Sequence, residues 1–196
     1  MSSNNIEIES KVLLSKADYE KIVRRMNFPE NDQVQTNYYM DSDERILKKY
    51  GMILRIRQSG EVFVFTMKAP LSEGLLEKNQ NLTEKEADSL INHGLFPRGE
   101  IQDFLEMLQI KPTSLKVLAT LTTTRKIMDF KGTTLDISKN VYGNRVDYEL
   151  ECDSDSAIRS ETMLKNICEQ FDIRFKLNTL SKENRAINAA LEDAKK

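Results

Sequence analysis

The chain has 196 residues, long enough to bury a core without disulfide staples. Its 39% hydrophobic and 31% charged residues suit a globular protein, and 29 basic against 31 acidic residues leave a net charge of -2, without the excess that a nucleic-acid coat or a membrane-surface binder needs. No apolar run approaches the ~20 residues of a membrane span, and MSSNNIEIES lacks the basic start and apolar stretch of a signal peptide.

The first element is an alternating strand over 6–14, after which Ser15 offers an N-cap for a helix to Met26. Ile22, Val23 and Met26 give that helix one buried stripe. A strand at 34–40 precedes the polar segment DSDERILKKYG. Residues 52–58 and 61–68 flank Ser59-Gly60, a hairpin signal, and Pro70 ends the second of these strands. Thr83 with Glu86 makes a capping box for a helix over 83–92, closed by His93-Gly94. A short helix is predicted over 100–109, ahead of Pro112. Strands return at 115–130, 133–138 and 144–152, then helices at 155–170 and 181–194. With no internal repeat or low-complexity linker, this order predicts one α+β domain, 1–196, built on an antiparallel sheet. Cys152 and Cys168 show no metal-ligand spacing and read as buried thiols in a reducing cytoplasm.

Side chains of a strand alternate between faces. On the first strand Glu7, Glu9 and Lys11 share a face opposite Ile6, Ile8, Val12 and Leu14. On the late strand Arg145, Asp147, Glu149 and Glu151 oppose Val146, Tyr148, Leu150 and Cys152. Between them, Arg55 and Arg57 share a face, Thr66 and Lys68 share another, Arg125 and Lys126 lie on the long strand, and Asp136 on the strand after it. One polar face is normal for a half-buried sheet, so a single Glu-x-Glu says little. Acids grouped on the first and last strands of the chain and bases on those between say more, because like charges on neighbouring strands repel unless something neutralises them. Carboxylates with phosphate oxygens suit Mg²⁺ or Mn²⁺, and arginine and lysine suit phosphate.

Glu7-Ile8-Glu9-Ser10-Lys11 is an ExExK signature. With Leu54-Arg55-Ile56-Arg57, Lys68, Arg125, Asp136, Asp147-x-Glu149-x-Glu151 and Ser181-Lys182 following in order, the chain resembles the CYTH superfamily, the triphosphate tunnel metalloenzymes, which include class IV adenylyl cyclases and thiamine triphosphatases. The stretch GLLEKNQNL resembles the small bacterial CYTH proteins commonly described as adenylate cyclases. The resemblance implies a closed eight-stranded antiparallel β-barrel with a charged lumen, flanked by helices. It implies that Glu7, Glu9, Glu149 and Glu151 hold Mg²⁺ or Mn²⁺, with Asp136 assisting. Arg55, Arg57, Lys68, Arg125 and Lys182 would grip the phosphates of a small triphosphate, with Lys11 near the reacting phosphorus and Lys11 and Glu7 as catalytic groups. Where many relatives carry Arg-x-Glu-x-Glu, this chain reads Glu77-Lys78-Asn79-Gln80-Asn81, with Glu77 the one acid.

The expected activity is metal-dependent hydrolysis of inorganic triphosphate or a small organic triphosphate, with neither nucleic acid nor membrane as partner. Two alternatives remain: a class IV-type cyclase making cyclic AMP and pyrophosphate from ATP, and a binding module without turnover. His93 sits at a helix end, where a cation suits the dipole, and a single histidine argues against zinc chemistry or a Ser–His triad. Tyr38, Tyr39, Met26, Met107 and Met163 read as packing residues.

Overall fold

The alternation at the start of the chain forms β1 (Ile8–Leu14), in a computed structural model that describes residues 8–71 and 75–195. Ser15 accepts a hydrogen bond from Asp18 N and so starts α1 (Lys16–Arg25). Then follow β2 (Gln33–Asp41), the four-residue α2 (Ile46–Lys49), β3 (Ile53–Ser59), β4 (Val62–Pro70) and β5 (Leu75–Leu82). The capping box forms as predicted, with Thr83 N donating to Glu86 Oε2 at 2.9 Å, and begins α3 (Glu84–His93); Gly94 ends it at φ 64°. The chain continues through α4 (Glu100–Met107), a 3₁₀ turn (Pro112–Ser114), β6 (Lys116–Phe130), β7 (Thr133–Tyr142), β8 (Arg145–Ser154), α5 (Ala157–Gln170) and α6 (Lys182–Asp193).

The strands run in the order β1-β8-β7-β6-β2-β3-β4-β5, with helices flanking them. That ladder is open among the described residues, starting at β1 and ending at β5, where the resemblance leads one to expect a closed barrel. The turn from β6 to β7 uses Lys131 and Gly132, both at positive φ (50° and 73°), which matches the twist of tight hairpins. The β3–β4 hairpin turns on Gly60 and Glu61, one residue later than the sequence signal, because Ser59 pairs with Val62.

The residues divide into two compact units. The first takes the chain through Val34 and again from Thr123 to Asn184. Its core joins the inner face of three strands (Val12, Leu14, Leu135, Ile137, Leu150, Cys152) to Ile22 of α1 and Leu164, Ile167 and Cys168 of α5. Each fully buried leucine or isoleucine contributes about 1.5–3 kcal/mol. Ser10 and Ser160 satisfy each other within this packing, their hydroxyls 2.6 Å apart. Both cysteines are buried and free.

The second unit takes Gln35–Thr122 and the chain from Arg185 onward. Leu54 and Ile56 of β3 and Phe65 and Met67 of β4 pack with Ala87 and Leu90 of α3 and Ile101 and Leu105 of α4. Phe65 and Phe96 meet edge to face at 5.8 Å. Tyr39 is buried and Tyr38 packs on this core. Met26 and Met163 pack as predicted in the first unit, but Met107 is 67% exposed at the end of α4 and is not a core residue.

Two elements have no counterpart in the sequence reading. Strand β5 lies between Pro70 and Thr83, where the sequence reading assigned no element. Helix α2 forms because buried Asp41 accepts hydrogen bonds from Leu47 N (2.8 Å) and Lys48 N (3.2 Å) and pairs with Arg45 Nε (2.9 Å). Replacing Asp41 with Ala strands these donors and is expected to cost about 2 kcal/mol in urea unfolding, the upper range for a lost cap; an unchanged midpoint would show that α2 folds without it.

Candidate functional site

In the first unit β8 pairs with β1, placing Lys11 opposite Glu151 and Glu9 opposite Asp153. It pairs with β7 on its other side, placing Asp136 opposite Glu151 and Ser138 opposite Glu149. Strand alternation therefore turns Glu9, Lys11, Asp136, Ser138, Glu149 and Glu151 to one face, away from the Val12–Ile137–Leu150 core. Arg125 of β6 joins this face by its ion pair with Asp136. The result is a row across four strands: Lys11, Glu151, Asp136, Arg125. Glu149, Glu151 and Asp136 are all buried, so β8 is enclosed on its acidic face as well as its apolar one.

Two carboxylates directly opposite each other repel. Lys182, at the start of α6, answers this by reaching Glu151 Oε2 at 2.7 Å and Glu149 Oε1 at 3.0 Å. Lys11 takes the other oxygen of Glu151 at 3.1 Å and also Glu9 Oε1 at 2.5 Å. The segment leading to Lys182 is tied to β1, with Asn178 N donating to Lys11 O at 2.8 Å beside a Val12–Leu177 bridge.

These contacts set the titration of the face. Burial pushes the Glu151 carboxyl up, but Lys182 and Lys11 outweigh it and hold the group down at about 2. Burial dominates at Asp136 and raises its carboxyl; Lys182 and Arg125 oppose that rise, and Glu151 adds to it. Burial disfavours charge on Lys182 and Lys11, yet the facing carboxylates raise both.

Further along the face, Thr123 Oγ1 donates to Asn140 Oδ1 (2.9 Å), Asn140 Nδ2 to Asp147 Oδ1 (2.9 Å), and Tyr142 OH to Asp147 Oδ2 (2.7 Å). Asp147 is thus anchored through both oxygens by uncharged donors, where both oxygens of Glu151 are held by lysines. The sequence reading missed Thr123, Ser138, Asn140 and Tyr142; the i+2 spacing from Asp136 was the signal for the last three.

In the second unit, Arg57 Nε donates to Asn37 Oδ1 at 3.1 Å, and Lys68 pairs with Glu77 at 2.9 Å. Thr66 lies opposite both Arg55 and Asn79, so Arg55, Arg57, Thr66 and Lys68 share one face of the sheet rather than two. Glu77 belongs to that face on β5, its carboxyl lowered because Asn79 and Lys68 outweigh burial. Arg55 Nε here, and Arg125 Nε in the first unit, are buried with no hydrogen-bond partner among the described residues, as donors awaiting an anion would be. The predicted residues therefore form two sets: Glu9, Lys11, Arg125, Asp136, Glu149, Glu151 and Lys182 in one unit, Arg55, Arg57 and Lys68 in the other. Glu7 lies outside the described residues.

The acidic face offers hard oxygen donors of the kind Mg²⁺ and Mn²⁺ take. Asp136 Oδ1 and Ser138 Oγ are buried with no hydrogen-bond partner among the described residues, so the donor set fits such a cation. Among those residues no three acidic groups are gathered as a metal cage, and both oxygens of Glu151 rest on lysines.

In the first unit, strands with α1 and α5 packed on their apolar face and a buried acid–lysine array on the other define a domain class. The CYTH domain family model matches residues 5–187, and the chain belongs to that family, which implies use of a divalent metal. It is 31% identical over 172 residues to the Bacillus subtilis (strain 168) protein named "Putative triphosphatase YjbK", covering 87% of this chain and 89% of that one. A Bacillus halodurans crystal structure described as a "putative adenylate cyclase" is 34% identical, with TM-score 0.79 over 92% of this chain and 96% of that chain. The Hippeastrum protein HpAC1, 19% identical, shares the fold with TM-score 0.73 over 94% of this chain and 96% of its own.

A carboxylate held down in the folded state adds stability above its unfolded pKa, and that stability is lost as pH falls toward the folded value. For Glu151 the window runs from the ordinary 4.5 down to about 2. Wild-type protein is expected to lose stability more steeply across that window than Glu151→Gln, measured by urea unfolding at stepped pH; parallel curves would mean the lysines do not hold Glu151 charged.

Proposed function

We propose that residues 1–196 act as one CYTH-like domain in the cytoplasm that hydrolyses inorganic triphosphate or a small organic triphosphate with Mg²⁺ or Mn²⁺. The observation that carries this reading is the buried row Lys11–Glu151–Asp136–Arg125 with Lys182 above it. The curated relative named as a triphosphatase supports it. Two buried free cysteines fit a reducing compartment.

Glu149, Glu151 and Asp136, with Glu9 and Glu7, would hold the metal, which neutralises phosphate oxygens as a Lewis acid. Arg125, Lys182 and Lys11 bind the non-bridging oxygens, and Arg55, Arg57 and Lys68 are proposed as further phosphate ligands. Glu9 and Glu151 orient the Lys11 ammonium, so no reorganisation is needed as negative charge shifts during reaction. Water attacks the terminal phosphorus in line. The bond to the bridging oxygen breaks, pyrophosphate leaves, and the proton of the water passes to a carboxylate.

Product analysis with tripolyphosphate and ATP tests the reading. Phosphate plus pyrophosphate, abolished by chelation, is the expected result. Cyclic AMP from ATP would favour the cyclase reading, which the Bacillus halodurans likeness supports. Binding without turnover would favour a binding module. Lys11→Met is expected to lower kcat by roughly 10²–10³, the size of a lost transition-state donor, with little change in KM. Arg57→Ala is expected instead to weaken triphosphate binding by about 1.5–3 kcal/mol in calorimetry, as for a lost charged hydrogen bond; unchanged affinity would remove Arg57 from the phosphate ligands.

A further inference from the structure

Lys182 stands where a bridging cation between carboxylates belongs. Its ammonium contacts both Glu149 and Glu151, at 3.0 and 2.7 Å, and Glu149 is fully buried. The Lys11 ammonium holds the other Glu151 oxygen at 3.1 Å. A cation entering this pair meets another cation already seated, and like charges at such range repel strongly in a buried setting. Lysine is a point charge on a flexible four-carbon stem, so it can leave one oxygen and reach another nearby.

Resting on the triphosphatase reading above, we propose that Lys182 is a built-in counter-cation that occupies the place of the divalent metal on Glu149 and Glu151, and that metal entry releases it to bind a phosphate oxygen. The lysine makes the two occupants cooperative. Metal frees the phosphate ligand, and phosphate takes up the displaced charge; coupling of this kind is reciprocal. It also keeps two buried glutamates neutralised between turnovers, when neither occupant is bound, since a buried carboxylate without a partner is costly.

The test is a Mn²⁺ titration followed by electron paramagnetic resonance, without any phosphate, on wild type, Lys182→Met and Lys182→Arg. Removing the competitor is expected to tighten Mn²⁺ binding roughly tenfold or more in Lys182→Met, in line with one charged hydrogen bond. Lys182→Arg keeps the cation and is expected to bind Mn²⁺ as weakly as wild type. Lys182→Met is also expected to melt at lower temperature than wild type in chelator and to recover with Mn²⁺. Equal Mn²⁺ affinity in wild type and Lys182→Met overturns the counter-cation role even where tripolyphosphate is hydrolysed. Tighter binding in Lys182→Met without any hydrolysis supports the role and removes only the hydrolase reading. Should Lys182→Met fail to fold under every condition, the lysine side-chain ε-methylene carbons of wild type are followed by NMR during a Mg²⁺ titration, with Lys182→Arg assigning the signal. A shift of the Lys182 signal supports displacement; a stationary signal while Mg²⁺ binds overturns it, and no Mg²⁺ binding overturns both readings.

Discussion

Glu151 sits opposite Asp136 in the β7–β8 ladder, and both are buried. Taking such charges out of water costs several kcal/mol per ion unless each finds a partner with good geometry. Lys11 comes from the neighbouring strand, Lys182 from the start of the last helix, and Arg125 from the strand beyond β7. Four strands and a C-terminal segment must therefore assemble in one register before the acids are compensated. A slip of one residue in β8 would turn Glu149 and Glu151 into the apolar core and Leu150 onto the charged face. The array is better understood as fixing register than as adding net stability.

Legibility in the sequence follows from how many faces an element buries. The inner faces of β1, β7 and β8 alternate against α1 and α5, and so Val12, Leu150 and Cys152 could be placed beforehand. The helix caps and turns were local chemistry, visible at Ser15, Thr83 and Gly94. Strand β5 was not visible because its residues from Glu77 to Asn81 are polar on both faces; its place comes from pairing with β4, which no local window contains. Helix α2 was hidden for a similar reason: the Asp41 carboxylate that accepts from its amides stands six residues ahead of Leu47. For the site, spacing supplied which residues of one strand share a face, and the family resemblance supplied the role proposed for it. Neither supplied the lysine contacts, because Lys182 meets Glu149 and Glu151 only after more than thirty residues of intervening chain have folded.

The two polar faces differ in how they keep their charges in place. In the first unit acids outnumber neutral partners, and ammonium groups hold them. In the second, amides and hydroxyls do much of that work, with Asn37 on Arg57, Thr66 on Asn79, and Asn79 on Glu77. Uncharged partners fix a side chain without cancelling its charge. Arg57 thus has an uncharged amide oxygen on its Nε, whereas the ammonium groups of Lys11 and Lys182 rest on carboxylates.

The backbone bond from Asn178 to Lys11, with the Leu177 bridge beside it, has a bearing beyond the site. Strand β1 stands at one end of the ladder, and an end strand presents unpaired amides and carbonyls that invite another chain to add itself. The segment that delivers Lys182 lies against that rim as an extra, very short strand. Its presence blunts self-association along the middle of β1, so a chain shortened before Leu177 would lose colloidal solubility along with the lysine that pairs the buried acids.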